Sequence, residues 1–97
     1  LQLTLVFPDE LEGAVLDALG AIAPDQPYML LHGTGHGRDF AQASTRERVR
    51  GQVGRRALWV VDAPAALDAL IAALRARIQS RDLVWWTAPV RAFGDFS

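Results

Sequence analysis

What most constrains the fold of this chain is an order of elements that occurs twice. Leu1 to Phe7 alternates and is rich in Leu, Val and Thr, the pattern of a half-buried strand. After Pro8, the residues Leu11, Val15, Leu19 and Ile22 fall on one helical face. Asp9 with Glu12 three residues on fits a capping box for that helix, and Gly20 and Pro24 end it. Tyr28 to His32 reads as a second strand. The second half then repeats the pattern. A strand near Val53–Val61, with Ala57, Trp59 and Val61 on one face, precedes a helix opening at Asp62-Ala63-Pro64. There an N-cap oxygen is followed by a proline in the first turn, where its missing N–H costs nothing. Leu67, Leu70, Ile71, Leu74 and Ile78 form the stripe of this helix, and Arg75 and Arg77 suit its negative end. Leu83 to Thr87 is the fourth strand, and Pro89 to Ser97 is a short tail.

Two right-handed strand–helix–strand units predict an α+β, ferredoxin-like βαββαβ fold. Its four strands form one antiparallel sheet with both helices on one face. The chain's 97 residues suffice for one such domain. The opposite face of the sheet then has no cover of its own. Yet strand four is apolar almost throughout, and the three tryptophans, Trp59, Trp85 and Trp86, lie on strands three and four. Strands apolar on both sides are usually covered on both sides, so the open face is expected to pack against other copies of the chain. Trp85 and Trp86 point to opposite sides of one strand, which predicts one in the core and one at an interface.

Composition narrows the setting. With 51% hydrophobic and 22% charged residues the chain folds and does not stay disordered. No apolar run approaches the ~20 residues that a membrane-spanning helix needs. No basic n-region and apolar h-region open the chain, so no signal peptide is expected within it. The absence of an initiator Met predicts that something precedes Leu1 or was removed. There are no cysteines, which excludes disulfides, thiolate chemistry and Cys-based zinc sites. The compartment expected on these grounds is the cytoplasm.

Net charge is −1, but it is unevenly spread. All ten basic residues are arginine, and six of them (Arg38, Arg46, Arg48, Arg50, Arg55, Arg56) fall within nineteen positions. With Asp39 and Glu47 in the same window, six minus two gives +4 there and −5 elsewhere. Such a segment is a candidate contact surface for an anionic partner. It is not expected to bind nucleic acid: acids are interspersed, Phe40 is the one nearby aromatic, and no nucleic-acid motif is present.

The most unusual stretch is His32-Gly33-Thr34-Gly35-His36-Gly37-Arg38-Asp39. Alternating glycines allow a tight turn whose N–H groups face a close ligand, as in phosphate-binding loops; the competing reading is a strand end with a bulge. The dinucleotide fingerprint is G-x-G-x-x-G opening a helix, and here the spacing is G-x-G-x-G with a polar segment after it, so that reading fails. His32 and His36 lie ~13 Å apart on an extended chain. They share a divalent metal only if the glycines fold the chain back, with Asp39 as a third ligand of a kind that suits zinc or copper. No self-contained catalytic set is visible, since no nucleophile elbow or Ser/His/Asp set occurs and Asp9 with Glu12 reads as capping. The chain is therefore read as a non-enzyme.

Taken together these features resemble the PII signal-transduction superfamily, and more closely its compact PII-like bacterial branch. The resemblance spans nearly the whole chain, through the βαββαβ order, the long segment between strands two and three, and Ala88-Pro89-Val90 after strand four. Locally it is carried by Leu31-His32-Gly33-Thr34-Gly35-His36, which is similar to the V-x-G-x-G-x run that leads into the PII T-loop. The resemblance implies a homotrimer with its sheets around a central axis and an adenine nucleotide or another anion in the cleft between subunits. It makes residues 37–52 the T-loop-like segment, with Arg38, Arg46, Arg48 and Arg50 docking on a membrane transporter or enzyme. Gly33, Gly35, Gly37, Arg56 and Arg91 are the candidate ligand-binding residues. The sequence departs from the pattern in four places. Gly37 replaces the glutamine after the glycines, and Gln79-Ser80-Arg81-Asp82 replaces the glycine-rich phosphate loop. Arg91-Ala92-Phe93-Gly94-Asp95-Phe96 replaces the basic C-terminal segment, and the T-loop tyrosine is missing. The chain also resembles the CutA divalent-cation tolerance family, of the same trimeric architecture. That likeness implies the alternative of a metal-binding protein linked to heavy-metal tolerance, with His32, His36 and Asp39 as ligands.

Overall fold

The computed structural model describes residues 1–35 and 53–97. They form β1 (Gln2–Pro8), a 3-10 turn (Asp9–Leu11), α1 (Glu12–Ile22), β2 (Met29–Gly35), β3 (Val53–Val61), α2 (Pro64–Arg77) and β4 (Val84–Ala88). The strands make one sheet in the order β2-β3-β1-β4, with every neighbouring pair antiparallel. The fold is thus α+β, with a four-stranded antiparallel sheet and two helices, as the doubled order of elements predicts. Among the described residues no helix is long and apolar enough to cross a membrane.

Strand alternation decides which face is buried. Leu3, Leu5 and Phe7 of β1 share a face with Leu58 and Val60 of β3, and all five are buried. Val15, Ala18 and Leu19 of α1 and Leu67, Leu70, Ile71 and Leu74 of α2 complete the same core. Each large side chain fully removed from water there contributes ~1.5–3 kcal/mol, so this cluster dominates the favourable side of folding.

Four local expectations need correction. β1 and β4 each lie one residue later than the periodicity suggests. β2 runs on through Gly33, Thr34 and Gly35, because these pair in register with Arg55, Gly54 and Val53. Backbone pairing to β3 thus overrides the weak strand preference of glycine, and the segment up to Gly35 is strand and not a phosphate loop. The capping box does not form, since no side chain caps α1 and both carboxylates turn to Arg56 instead. Before α2 the residue adjoining Pro64 is Ala63, in the extended conformation that proline imposes on its predecessor. Asp62 still contributes, because its Oδ1 accepts the Ala63 N–H at 2.7 Å.

Candidate functional site

Among the described residues, the sheet face opposite the helices carries a broad uncovered apolar surface. Cross-strand register sets it out in rows. Met29, Trp59, Thr4 and Trp86 form one row across all four strands, and Leu31, Ala57, Val6 and Val84 form the next. Trp59 is 40% exposed, Trp86 49% and Met29 57%, whereas Thr4 between the two tryptophans is buried. The expectation of one core tryptophan fails on β4. Trp85 does share the helix-facing side with Leu5, but it is 44% exposed because β4 is an edge strand with an open groove between it and α2.

At one end of this face, Gly33 of β2 stands opposite Arg55 of β3, which pairs in turn with Pro8 of β1. A pocket of about 200 Å³ opens here, with Val6, Leu31, Gly33, Gly35, Arg55 and Ala57 on its sheet-face side. Arg55 is a buried cation at this spot. A Cβ at Gly33 meets nothing within 4 Å, so its missing side chain leaves open space above the strand. The sequence names Arg56 for a ligand cleft and Arg55 only as part of the arginine-rich segment. The signal was nevertheless present, since position 55 alternates with 57, 59 and 61.

Arg56 lies on the helix-facing side, directly opposite His32 of β2. Its Nη1 donates to Asp9 Oδ1 at 2.9 Å and its Nε to Glu12 Oε1 at 2.8 Å. The cluster ties the middle of the sheet to the start of α1. Of the remaining candidates, Arg91 is exposed beyond β4. That is the opposite end of the sheet from Gly33, for Ala88 pairs with Gln2 whereas Gly33 pairs with Arg55 beside Pro8. One chain therefore brings Gly33, Gly35 and Arg55 together but leaves Arg91 about 20 Å away along the strands. Gly37, Arg38, Arg46, Arg48 and Arg50 lie outside the described residues, as do His36, Asp39 and the whole T-loop-like segment 37–52. His32 is exposed on β2. No three His, Asp or Glu side chains among the described residues converge as a metal site.

Gly54 explains how the ion-pair cluster stays compact. A Cβ there would stand 2.7 Å from Asp9 Oδ2, a distance real structures do not tolerate. Gly54→Ala is expected to displace Asp9 from Arg56 and destabilise the fold by about 1 kcal/mol, the scale of a well-formed surface ion pair. In an Asp9→Ala background the same change should be neutral or stabilising, since glycine weakens a strand interior. A double-mutant cycle in urea checks this, and equal losses in both backgrounds would refute it.

A sequence model of the family described as "Protein of unknown function (DUF3240)" matches residues 1–97. No curated protein matches the chain. Among solved structures, a DUF3240 family protein from Shewanella baltica OS155 is similar at 18% identity and a TM-score of 0.74. The match covers 99% of this chain and 94% of that one, and at such identity it speaks for the fold alone.

Proposed function

This chain belongs to the DUF3240 family, and from that premise we propose that it is a non-catalytic, PII-like regulatory module that works as a cytoplasmic homotrimer. In this reading the sheet is ferredoxin-like and its open face turns toward the other copies. The observation that carries it is the row of exposed apolar side chains, Met29, Trp59 and Trp86, on the face away from both helices. A patch of this kind on one side of a small domain marks an interaction site. The Gly33 and Arg55 pocket lies at the rim of that face, so a neighbouring copy would close it into a cleft. A glycine with open space above it and a buried guanidinium suit a compact anion such as a nucleotide phosphate. The effector class is accordingly an adenine nucleotide or another anion. Arg38, Arg46, Arg48 and Arg50 are assigned to docking on a partner transporter or enzyme, in line with the excess of positive charge in that segment.

Thermal unfolding with AMP, ADP, ATP and inorganic phosphate tests the effector site. A ligand at a hundred times its Kd adds ~2.7 kcal/mol, a rise of several degrees for a domain of this size. Gly33→Leu should abolish that rise while leaving the unliganded midpoint nearly unchanged, because the added side chain enters open space on a strand that accepts it. A rise that persists in Gly33→Leu would move the site elsewhere. A blank panel would count against an anion effector.

A further inference from the structure

The open sheet face alone makes a small interface. Four strands at ~4.8 Å spacing and about seven residues at ~3.4 Å give a face of roughly 19 by 24 Å, on the order of 450 Å². Standard interfaces remove ~800 Å² per partner, so a stable assembly calls for a second contact. The fold offers two unmatched features that fit one another. One is a groove of about 470 Å³ between the C-terminal half of α2 and β4, lined by Leu5, Leu74, Ile78, Leu83 and Trp85 with Arg75 among them. That volume lies within the range of sites that take a whole small ligand. The other is the segment after β4, in which Phe93 and Phe96 are 83% and 110% exposed, so neither ring is covered by its own chain.

We propose that residues 91–97 of one copy seat in the groove between α2 and β4 of a second copy, with Phe93 and Phe96 as the apolar anchors and Asp95 facing Arg75. Aromatic side chains bury ~150–250 Å² each, so two of them supply much of the missing area. The charges are complementary. Arg75 has no ion-pair partner among the described residues. Asp95 sits between the two phenylalanines and accepts bonds from the N–H of Ser97 at 3.0 Å and from its hydroxyl. These bonds hold its carboxyl below the usual aspartate range. The geometry also directs the tail away from its own groove. β4 enters beside the groove at Leu83 and leaves at Ala88, at the far end of its pairing with β1. Finally, among the described residues β4 pairs with β1 alone, and an edge strand of this kind can accept an extended segment along its other side. This contact rests on the self-assembly proposed above and gives it a second, separable interface.

The chain has no cysteine, which makes the test clean. Gln79→Cys, in the groove, and Ser97→Cys, at the tail, are made in two separate preparations, mixed and oxidised. The expected product is a disulfide joining one chain of each kind, formed at least ten-fold less when the Ser97→Cys chain also carries Phe93→Ala and Phe96→Ala. No mixed disulfide, although light scattering shows the assembly intact, overturns the tail contact alone. Crosslinking that ignores loss of the phenylalanines overturns their role as anchors, and with it the proposal. Repeating the mixture with Trp86→Glu in both chains separates the interfaces: a surviving crosslink supports the tail contact and counts against the sheet face. A wild type that is monomeric, together with no mixed disulfide between the Gln79→Cys and Ser97→Cys chains, overturns both readings.

Discussion

Trp86→Glu is expected to dissociate the assembly while leaving the fold of each chain in place. Trp86 is half exposed on β4, where it closes the apolar row beside the buried Thr4, with Trp59 on the far side of that threonine. Tryptophan is enriched among the interface residues whose truncation costs ~2 kcal/mol or more, a factor of about 30 in affinity. A glutamate in the same place adds the cost of an unpaired charge driven into an apolar contact, so at least a hundred-fold weakening is expected. The chain itself loses little, because nothing in its own core rests on Trp86. The distinguishing measurement is the concentration dependence of unfolding. The wild type should unfold at higher denaturant as protein concentration rises, and Trp86→Glu should not.

Phe7→Ala should have the opposite profile. Phe7 is fully buried on the helix-facing side of β1, among Leu5, Val15 and Leu58 in the same core, and is one of the largest wholly buried side chains. Removing it leaves a cavity that close-packed neighbours cannot fill, at a cost of ~3–5 kcal/mol. Domains of this size are stable by only ~5–15 kcal/mol, so the variant will be marginal. A fall of ~4–8 °C in Tm per kcal/mol makes the effect easy to read by calorimetry. Any assembly that survives should fail only as the chain unfolds. A loss below about 1 kcal/mol would mean that the core is not where Phe7, Leu19 and Leu58 place it.

The two substitutions also mark what the sequence made legible. Both helices were visible in their stripes, and the alternation of β3 correctly gathered Ala57, Trp59 and Val61 on one face. The uncovered face followed from those patterns alone. What could not be read were contacts between distant positions. Asp9 and Glu12 have a spacing that suits a capping box, and only the fold brings Arg56, more than forty residues on, close enough to claim both carboxylates. Gly33 and Gly35 look like loop residues until their pairing with β3 is known, because backbone pairing leaves no mark on side-chain pattern. Alternation placed Trp85 on the correct face, yet it is exposed, since the place of β4 at the sheet edge is a property of topology and not of local sequence. The place of Arg55 is half legible: the period of two puts it on the face of Ala57, Trp59 and Val61, and only the pairing of β2 with β3 sets it beside Gly33.

Sedimentation equilibrium of the wild-type chain over a wide concentration range distinguishes self-assembly through the open face from a lone subunit. The expected mass is three times the 10.6 kDa of one chain. A single species of one chain's mass at every concentration would contradict it.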